Sequence, residues 1–314
     1  MVYGTVLTMP LDDLPDWLPA WCQDHLGGEP ADVLFQLHQM SMVFGLRLAD
    51  GRHVVVKARA GDGRAVSCVA AQARLAERGF PCARPLTPVI GVGSLSVHAE
   101  QFRPGGDVLP GDSPDVAVRY AEVYARLMAE LADVRVAPPL PNPRWARWDH
   151  KDSGLWPAIG FLDELDQSAV PAYAVDTADR VRKRMLATDL PCVLGHADFE
   201  AQNLRWHDSH LWAVHDWDSL AWQPEAALVG TASGVFPKIG PATLPPIESS
   251  EAFLVAYQDT RGRRFTAEEQ EIAWAASLWT AAHDVRWEAL RRKRPVSGDA
   301  LRAQATERLR RANA

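Results

Sequence analysis

The sequence predicts an α+β fold in two lobes, a β-rich lobe over residues 1–102 and a mostly helical lobe over residues 103–314. Three observations carry that expectation. Short β-branched and aromatic runs separated by turn residues fill residues 33–102. Apolar residues recur at helical spacing from Val116 onward. Between the two, Arg103-Pro104-Gly105-Gly106 interrupts regular structure. With 314 residues, the chain is long enough for each lobe to have its own core.

Leu11, Leu14, Leu18, Trp21, Cys22 and Leu26 have the spacing of a short amphipathic helix that packs on another element. Residues 33–37, 42–48 and 53–59 read as strands, the last two joined through the hairpin signal Asp50-Gly51. Val66, Val69, Ala70, Ala73 and Ala76 mark a helix stopped by Gly79 and Pro81. Residues 89–90 and 95–102 complete a five-stranded sheet. Asp112-Ser113-Pro114 opens an amphipathic helix through Val116, Tyr120, Val123, Leu127 and Leu131. Residues 136–157, rich in Pro and Trp, read as an irregular loop, and 181–186 lie in a further helix. Residues 192–194 form a short buried strand, and 204–206 with 211–215 form a hairpin around Asp208-Ser209-His210. Residues 268–290 are apolar nearly all round and read as a buried helix, and a charged helix over 300–312 follows.

Composition narrows the function classes. The chain is 47% hydrophobic and 23% charged, with a net charge of −7 and a pI near 5.8. That balance argues against nucleic-acid binding, which leans on basic patches, and is compatible with a cationic small substrate. Cys22, Cys68, Cys82 and Cys192 are far apart and read as small buried hydrophobes in a reducing cytosol. No signal peptide and no membrane-length apolar run is evident, so a cytoplasmic protein is expected.

The chemistry concentrates between residues 196 and 218. His196-Ala197-Asp198-Phe199-Glu200-Ala201-Gln202-Asn203 places an Asp and an Asn five positions apart behind an apolar run, and His215-Asp216-Trp217-Asp218 follows. Phosphoryl transfer needs such a set: Asp198 to orient an acceptor hydroxyl, Asn203 and Asp216 to hold Mg²⁺. Asp218 could bind a second Mg²⁺ or hydrogen-bond its loop. His207 and His210 sit in a polar turn and read as exposed.

This pattern resembles the aminoglycoside phosphotransferase and choline kinase family, small-molecule kinases with a protein-kinase-like fold. The resemblance covers most of the chain. Val54-Val55-Val56-Lys57 resembles the third strand of the family's N-lobe, Arg78-Gly79-Phe80-Pro81 with Pro85-Leu86 the segment after its first helix, and 99–102 with Pro104-Gly105 its hinge. It implies that Asp198 is the catalytic Asp, that Asn203 and Asp216 are metal ligands, and that His196 stabilises the catalytic loop. It also implies that Lys57 grips the α- and β-phosphates of ATP or GTP, and that adenine meets backbone groups of Glu100, Gln101 and Phe102.

There are departures from the family pattern. The turn His38-Gln39-Met40-Ser41 has no glycines, which leaves Ser41 and backbone amides to cover the phosphates. The helix after Lys57 has no Glu before Glu77 to pair with the lysine; Gln72 could orient it but offers no charge. Trp222-Gln223-Pro224-Glu225 stands where relatives often carry Gly-Asp-Pro.

For the acceptor, Glu200, Asp284 and Glu288 are the candidate carboxylates. Asp284 and Glu288 share a helix face and could hold ammonium groups, although Glu288 is also placed to pair with Arg291 or Arg292. Trp145, Trp148, Trp156, Trp279 and Trp287 are core residues by default and could wall a pocket. The expected activity is transfer of a γ-phosphoryl group to a hydroxyl of a small metabolite or aminoglycoside-like antibiotic. Two rivals are a nucleotide-binding pseudokinase, favoured by the missing glycines and helix Glu, and a metal-dependent hydrolase using His196, Asp198, His215 and Asp216.

Overall fold

The computed structural model describes residues 11–38, 41–61, 63–137, 142–241 and 243–314. Its chain forms two compact units, and the division does not fall at one point. The first takes the described residues of Met1–Asp107, Val134–Leu140 and Trp206–Asp218; the second takes those of Val108–Asp133, Pro141–Arg205 and Ser219–Ala314. No helix among the described residues is long and apolar enough to cross a membrane.

In the first unit, α1 (Trp17–Leu26) leads into β1 (Pro30–His38), β2 (Met42–Leu48) and β3 (His53–Ala60), then α2 (Arg64–Glu77), β4 (Ile90–Val92) and β5 (Leu95–Gln101). The five strands form one antiparallel sheet in the order β1-β2-β3-β5-β4. Alternation sorts its two faces. Phe44, Leu46, Leu48, Val54, Val56, Ala58, Val97 and Ala99 cluster with Leu18, Trp21, Cys22 and Leu26 of α1 as one core. The opposite face carries Lys57, His98 and Glu100, all buried, and receives Gln72 of α2. Gly45 lies opposite Phe35, whose ring occupies the space a Cβ would need, 2.1 Å away. Gly51, at φ 86°, supplies the left-handed turn between β2 and β3.

The second unit begins with α3 (Pro114–Leu131), whose first turn is capped by the Ser113 hydroxyl accepting from Val116 N–H. It continues with α4 (Gly160–Asp163), α5 (Ala172–Leu186) and β6 (Cys192–His196). Next in the chain comes the hairpin β7 (Leu204–His207) and β8 (His210–Val214), most of which groups with the first unit. The second unit resumes with β9 (Leu220–Pro224), α6 (Glu225–Val235), α7 (Ile247–Arg261), α8 (Ala267–Leu290) and α9 (Val296–Ala312). β9 pairs antiparallel with β6, and Trp222 and Gln223 lie in that ladder, with α6 starting at Glu225.

One sequence expectation changes. Cys192 is exposed while the other three cysteines are buried. α6 and α7 were not legible in the apolar spacing. The Trp residues mostly go to packing: Trp148 and Trp279 are buried, and Trp156 lies 5.7 Å from Trp279, ring to ring.

Candidate active site

Strand β6 delivers the His196–Asn203 loop. The strand's penultimate residue is Gly195, where a Cβ would stand 2.6 Å from Leu228 and 2.9 Å from the Met128 sulfur, so these side chains pack closely against the strand backbone. The loop is tied at several points. The Tyr124 hydroxyl donates to His196 C=O at 2.8 Å, and the Asp198 N–H donates to His196 Nδ1 at 3.2 Å. An accepting Nδ1 places the ring proton on Nε2 of a neutral imidazole. Ala201 N–H and Gln202 N–H bond to the carbonyls of Phe236 and Lys238.

Asn203 closes the loop. Its amide nitrogen donates to both the Asp198 carbonyl and the Asp198 carboxylate Oδ2, each at 2.9 Å. The carboxylate is thereby held in place, and the amide oxygen of Asn203 is the group that remains to meet a cation.

Beside Asp198 lies a cluster whose cation no sequence motif marks. Lys238 Nζ sits 3.1 Å from Glu200 and 3.9 Å from Asp284. Gln202 also donates to Glu200. Burial, then the neighbouring Asp198, pushes Glu200 up to about 8, against the pull of Lys238. Burial pushes Asp284 up to about 6, again opposed by Lys238. Burial on its own would depress the Lys238 ammonium, but Asp284, Glu200 and Asp198 outweigh it and hold the lysine above its ordinary range. Lys238 follows Phe236-Pro237 just past α6, and only the fold brings it here.

Glu288 does not belong to this cluster. Its two carboxylate oxygens accept the N–H groups of Ser297 (2.7 Å) and Gly298 (3.0 Å), so it caps the start of α9. Its partners are these amides and not the expected Arg291 or Arg292. The physical reason is that first-turn amides of a buried helix end need an acceptor, and Glu288 supplies two oxygens.

The first unit holds the second set. Lys57 Nζ lies 3.0 Å from Glu100 Oε1, both side chains buried, and Gln72 donates to the other carboxylate oxygen at 2.8 Å. Burial would lower Lys57, but Glu100, followed by Asp218 and Asp216, holds it above the usual lysine range. The expectation of a lysine without a charged partner is therefore corrected: the carboxylate comes from strand β5 instead of from the helix. Glu100, expected to meet adenine through its backbone, lies inside the sheet. Its backbone pairs with Val55 in the β3–β5 ladder, and the Gln101 N–H is committed to Arg84 C=O at 2.8 Å. Phe102, half-buried, has its ring 6.1 Å from Phe35 and 5.8 Å from His53. Ser41 directly precedes β2 and is half-buried; Gln39 and Met40 of the same turn lie outside the described residues.

Asp218 pairs with Arg59 at 3.5 Å, and its carbonyl accepts from Arg64. Burial would raise its carboxyl, but Arg59, Lys57, His98 and Arg64 hold it below the usual carboxylate range. Asp216 takes φ 58°, in the left-handed region that Asp tolerates better than most residues. Among the described residues, no group of three or more His, Cys, Asp or Glu side chains is placed to hold a metal ion.

The comparisons with known proteins bear on family and fold. The model of the phosphotransferase enzyme family matches residues 43–264, most of the chain. The chain belongs to that phosphotransferase family. None of the curated proteins matches it. Among solved structures it is similar to amicoumacin kinase hAmiN in complex with AMP-PNP, Ca²⁺ and Ami, at 12% identity and TM-score 0.60, over 88% of this chain and 87% of that one. It is also similar to a thermostable mutant of aminoglycoside phosphotransferase APH(4)-Ia with ADP and hygromycin B, at 14% identity and TM-score 0.55, over 95% and 99%. A third is spectinomycin phosphotransferase APH(9)-Ia with ADP and spectinomycin, at 11% identity and TM-score 0.54, over 95% and 94%. At these identities the likeness is one of fold, that of the protein-kinase-like phosphotransferases.

Proposed function

We propose that this phosphotransferase moves the γ-phosphoryl group of ATP or GTP onto a hydroxyl of a small molecule, a metabolite or an aminoglycoside-like antibiotic. The observation that carries the reading is the pair of hydrogen bonds from Asn203 to Asp198, which orients one carboxylate and reserves one amide oxygen. In the step, the acceptor oxygen attacks the γ-phosphorus, the bond to the β-phosphate oxygen breaks, and Asp198 takes the hydroxyl proton. Lys57 would meet the phosphates of the nucleotide as a point charge, with residues 1–102 as the nucleotide-binding region and 103–314 supplying the catalytic loop and acceptor residues. Asn203 and Asp216 are hard oxygen donors of the kind Mg²⁺ takes alongside water and phosphate oxygens. Bound there, the ion would neutralise phosphate charge. Catalysis is then mostly positioning and electrostatics. A cytosolic setting, where nucleotide and Mg²⁺ abound, fits this reading.

Acceptor contacts fall to Glu200 and Asp284, with Lys238 already between them. The chain's own ammonium occupies ground that an acceptor amine would seek, so a neutral or singly charged hydroxyl compound suits the cluster at least as well as a polycation.

The pseudokinase alternative rested partly on a lysine without a carboxylate, and the Lys57–Glu100 pair removes that ground. The test is Mg²⁺-dependent nucleotide consumption against hydroxylated amines, antibiotics and sugars, with wild type beside Asp198→Asn. We expect acceptor-dependent turnover that the variant lowers by about 10²–10⁴-fold while folding normally. Equal turnover in the variant would remove Asp198 from the reaction. Nucleotide binding without transfer to any acceptor would favour the pseudokinase.

A further inference from the structure

The helix after Lys57 carries no carboxylate before its last residue, Glu77, and the β3–β5 register has put one beside the lysine instead. Val55 faces Glu100 and Lys57 faces His98, so Lys57 and Glu100 are diagonal neighbours on one buried sheet face, within reach of two long side chains. Their charged atoms meet at 3.0 Å with side chains only 8% and 5% exposed. Helix α2 still contributes, but with a neutral group. Gln72 is 1% exposed, and its amide nitrogen donates both to Glu100 Oε2 and to Ala83 C=O, each at 2.8 Å. Two acceptors on one side of the amide fix its orientation, since a flipped oxygen would face two other oxygens. A Glu at position 72 would set two carboxylates against each other; the amide instead finishes the hydrogen bonding of the one already there.

We propose that Glu100 is the positioning residue of Lys57: the strand supplies the lysine's counter-ion, and helix α2 holds that counter-ion through Gln72. The inference deepens the phosphotransferase reading and rests on it for what Lys57 does. Its consequence is mechanical. The ion pair is built within one sheet, so strand register places the lysine beside its counter-ion, and α2 adds a neutral hydrogen bond that holds the carboxylate.

The experiment is a double-mutant cycle in the full chain with Glu100→Gln, Lys57→Met and both together. Two readouts are taken: urea unfolding, and calorimetric binding of Mg-ADP. If Glu100 acts through Lys57, Glu100→Gln weakens Mg-ADP binding by about tenfold or more in the wild-type background and hardly at all in the Lys57→Met background. The unfolding data would then show the double variant less destabilised than the two single losses combined, because each single change strands a buried charge. Glu100→Asp, which keeps the charge, should recover part of the binding. Equal losses of Mg-ADP binding in both backgrounds, or no loss in either, would overturn the proposal. If wild type binds no Mg-ADP, the phosphotransferase reading is what fails; additive unfolding losses in that case would overturn the pair as well.

Discussion

At the residue scale, the cluster around Lys238 sets a measurable pH dependence. Glu200 and Asp284 stand at about 8 and about 6 in the folded chain, above their ordinary values of 4.5 and 3.8. The folded state therefore keeps protons that the unfolded chain has released. Stability from this source is complete below about pH 4 and is lost as pH rises towards 8. Glu200→Gln removes the larger share of that titration. Its melting temperature should fall less than that of wild type between about pH 5 and pH 8, read by thermal scans in matched buffers. Parallel curves would show that Glu200 does not titrate in that range. Asp198, Asn203 and Glu200 were all legible as candidates because they lie in one short motif. Lys238 was not, because its value comes from two carboxylates 38 and 46 positions away.

At the element scale, small residues let helices approach closely. A Cβ on Gly230 of α6 would stand 2.1 Å from the Ala273 carbonyl of α8, a backbone atom that cannot simply turn aside. Gly230→Ala should destabilise by about 1–3 kcal/mol through overpacking, despite the better helix propensity of Ala. Urea unfolding measures it, and a stabilised variant would show that the two helices can separate without cost. The same packing explains why α6 escaped the sequence reading. It is buried on nearly every side, so Glu225–Val235 carries no polar stripe for a 3.6-residue period to reveal. α8, also buried along most of its length, was legible through its length and through its charged ends. Its start also carries the Thr266–Glu269 capping box, a signal readable in sequence. The strands of the first unit were legible because turn residues bracket them and Asp50-Gly51 joins two of them. β9 was not, because its partner β6 is distant in the chain: the pairs run from 24 positions apart at His196–Leu220 to 32 at Cys192–Pro224.

At the scale of the whole molecule, ligand binding should register as stability. A nucleotide that binds only the folded chain adds about 2.7 kcal/mol at a hundredfold excess over its dissociation constant. Mg-ADP should therefore raise the melting temperature of wild type, and Lys57→Met should lose most of that rise. An unchanged melting temperature with Mg-ADP at millimolar concentration would argue against nucleotide binding altogether. The division of the chain also belongs at this scale. A composition break at Arg103–Gly106 marks a change from strands to helices, yet Trp206–Asp218 groups with the N-terminal elements. That return carries Asp216 and Asp218 into the unit of Lys57, Arg59 and Glu100.

The sequence by itself determined the α+β class, the first five strands and the candidate catalytic loop, because those rest on local periodicity, turn chemistry and a motif of eight consecutive residues. The tertiary structure alone decided the partners of the charged groups: Glu100 for Lys57, Arg59 for Asp218, Lys238 for Glu200 and Asp284, and the α9 amides for Glu288. The reason is physical. A buried charge must find an opposite charge or hydrogen-bond donors wherever the fold places them, and strand register and helix packing, not distance along the chain, set which group that is.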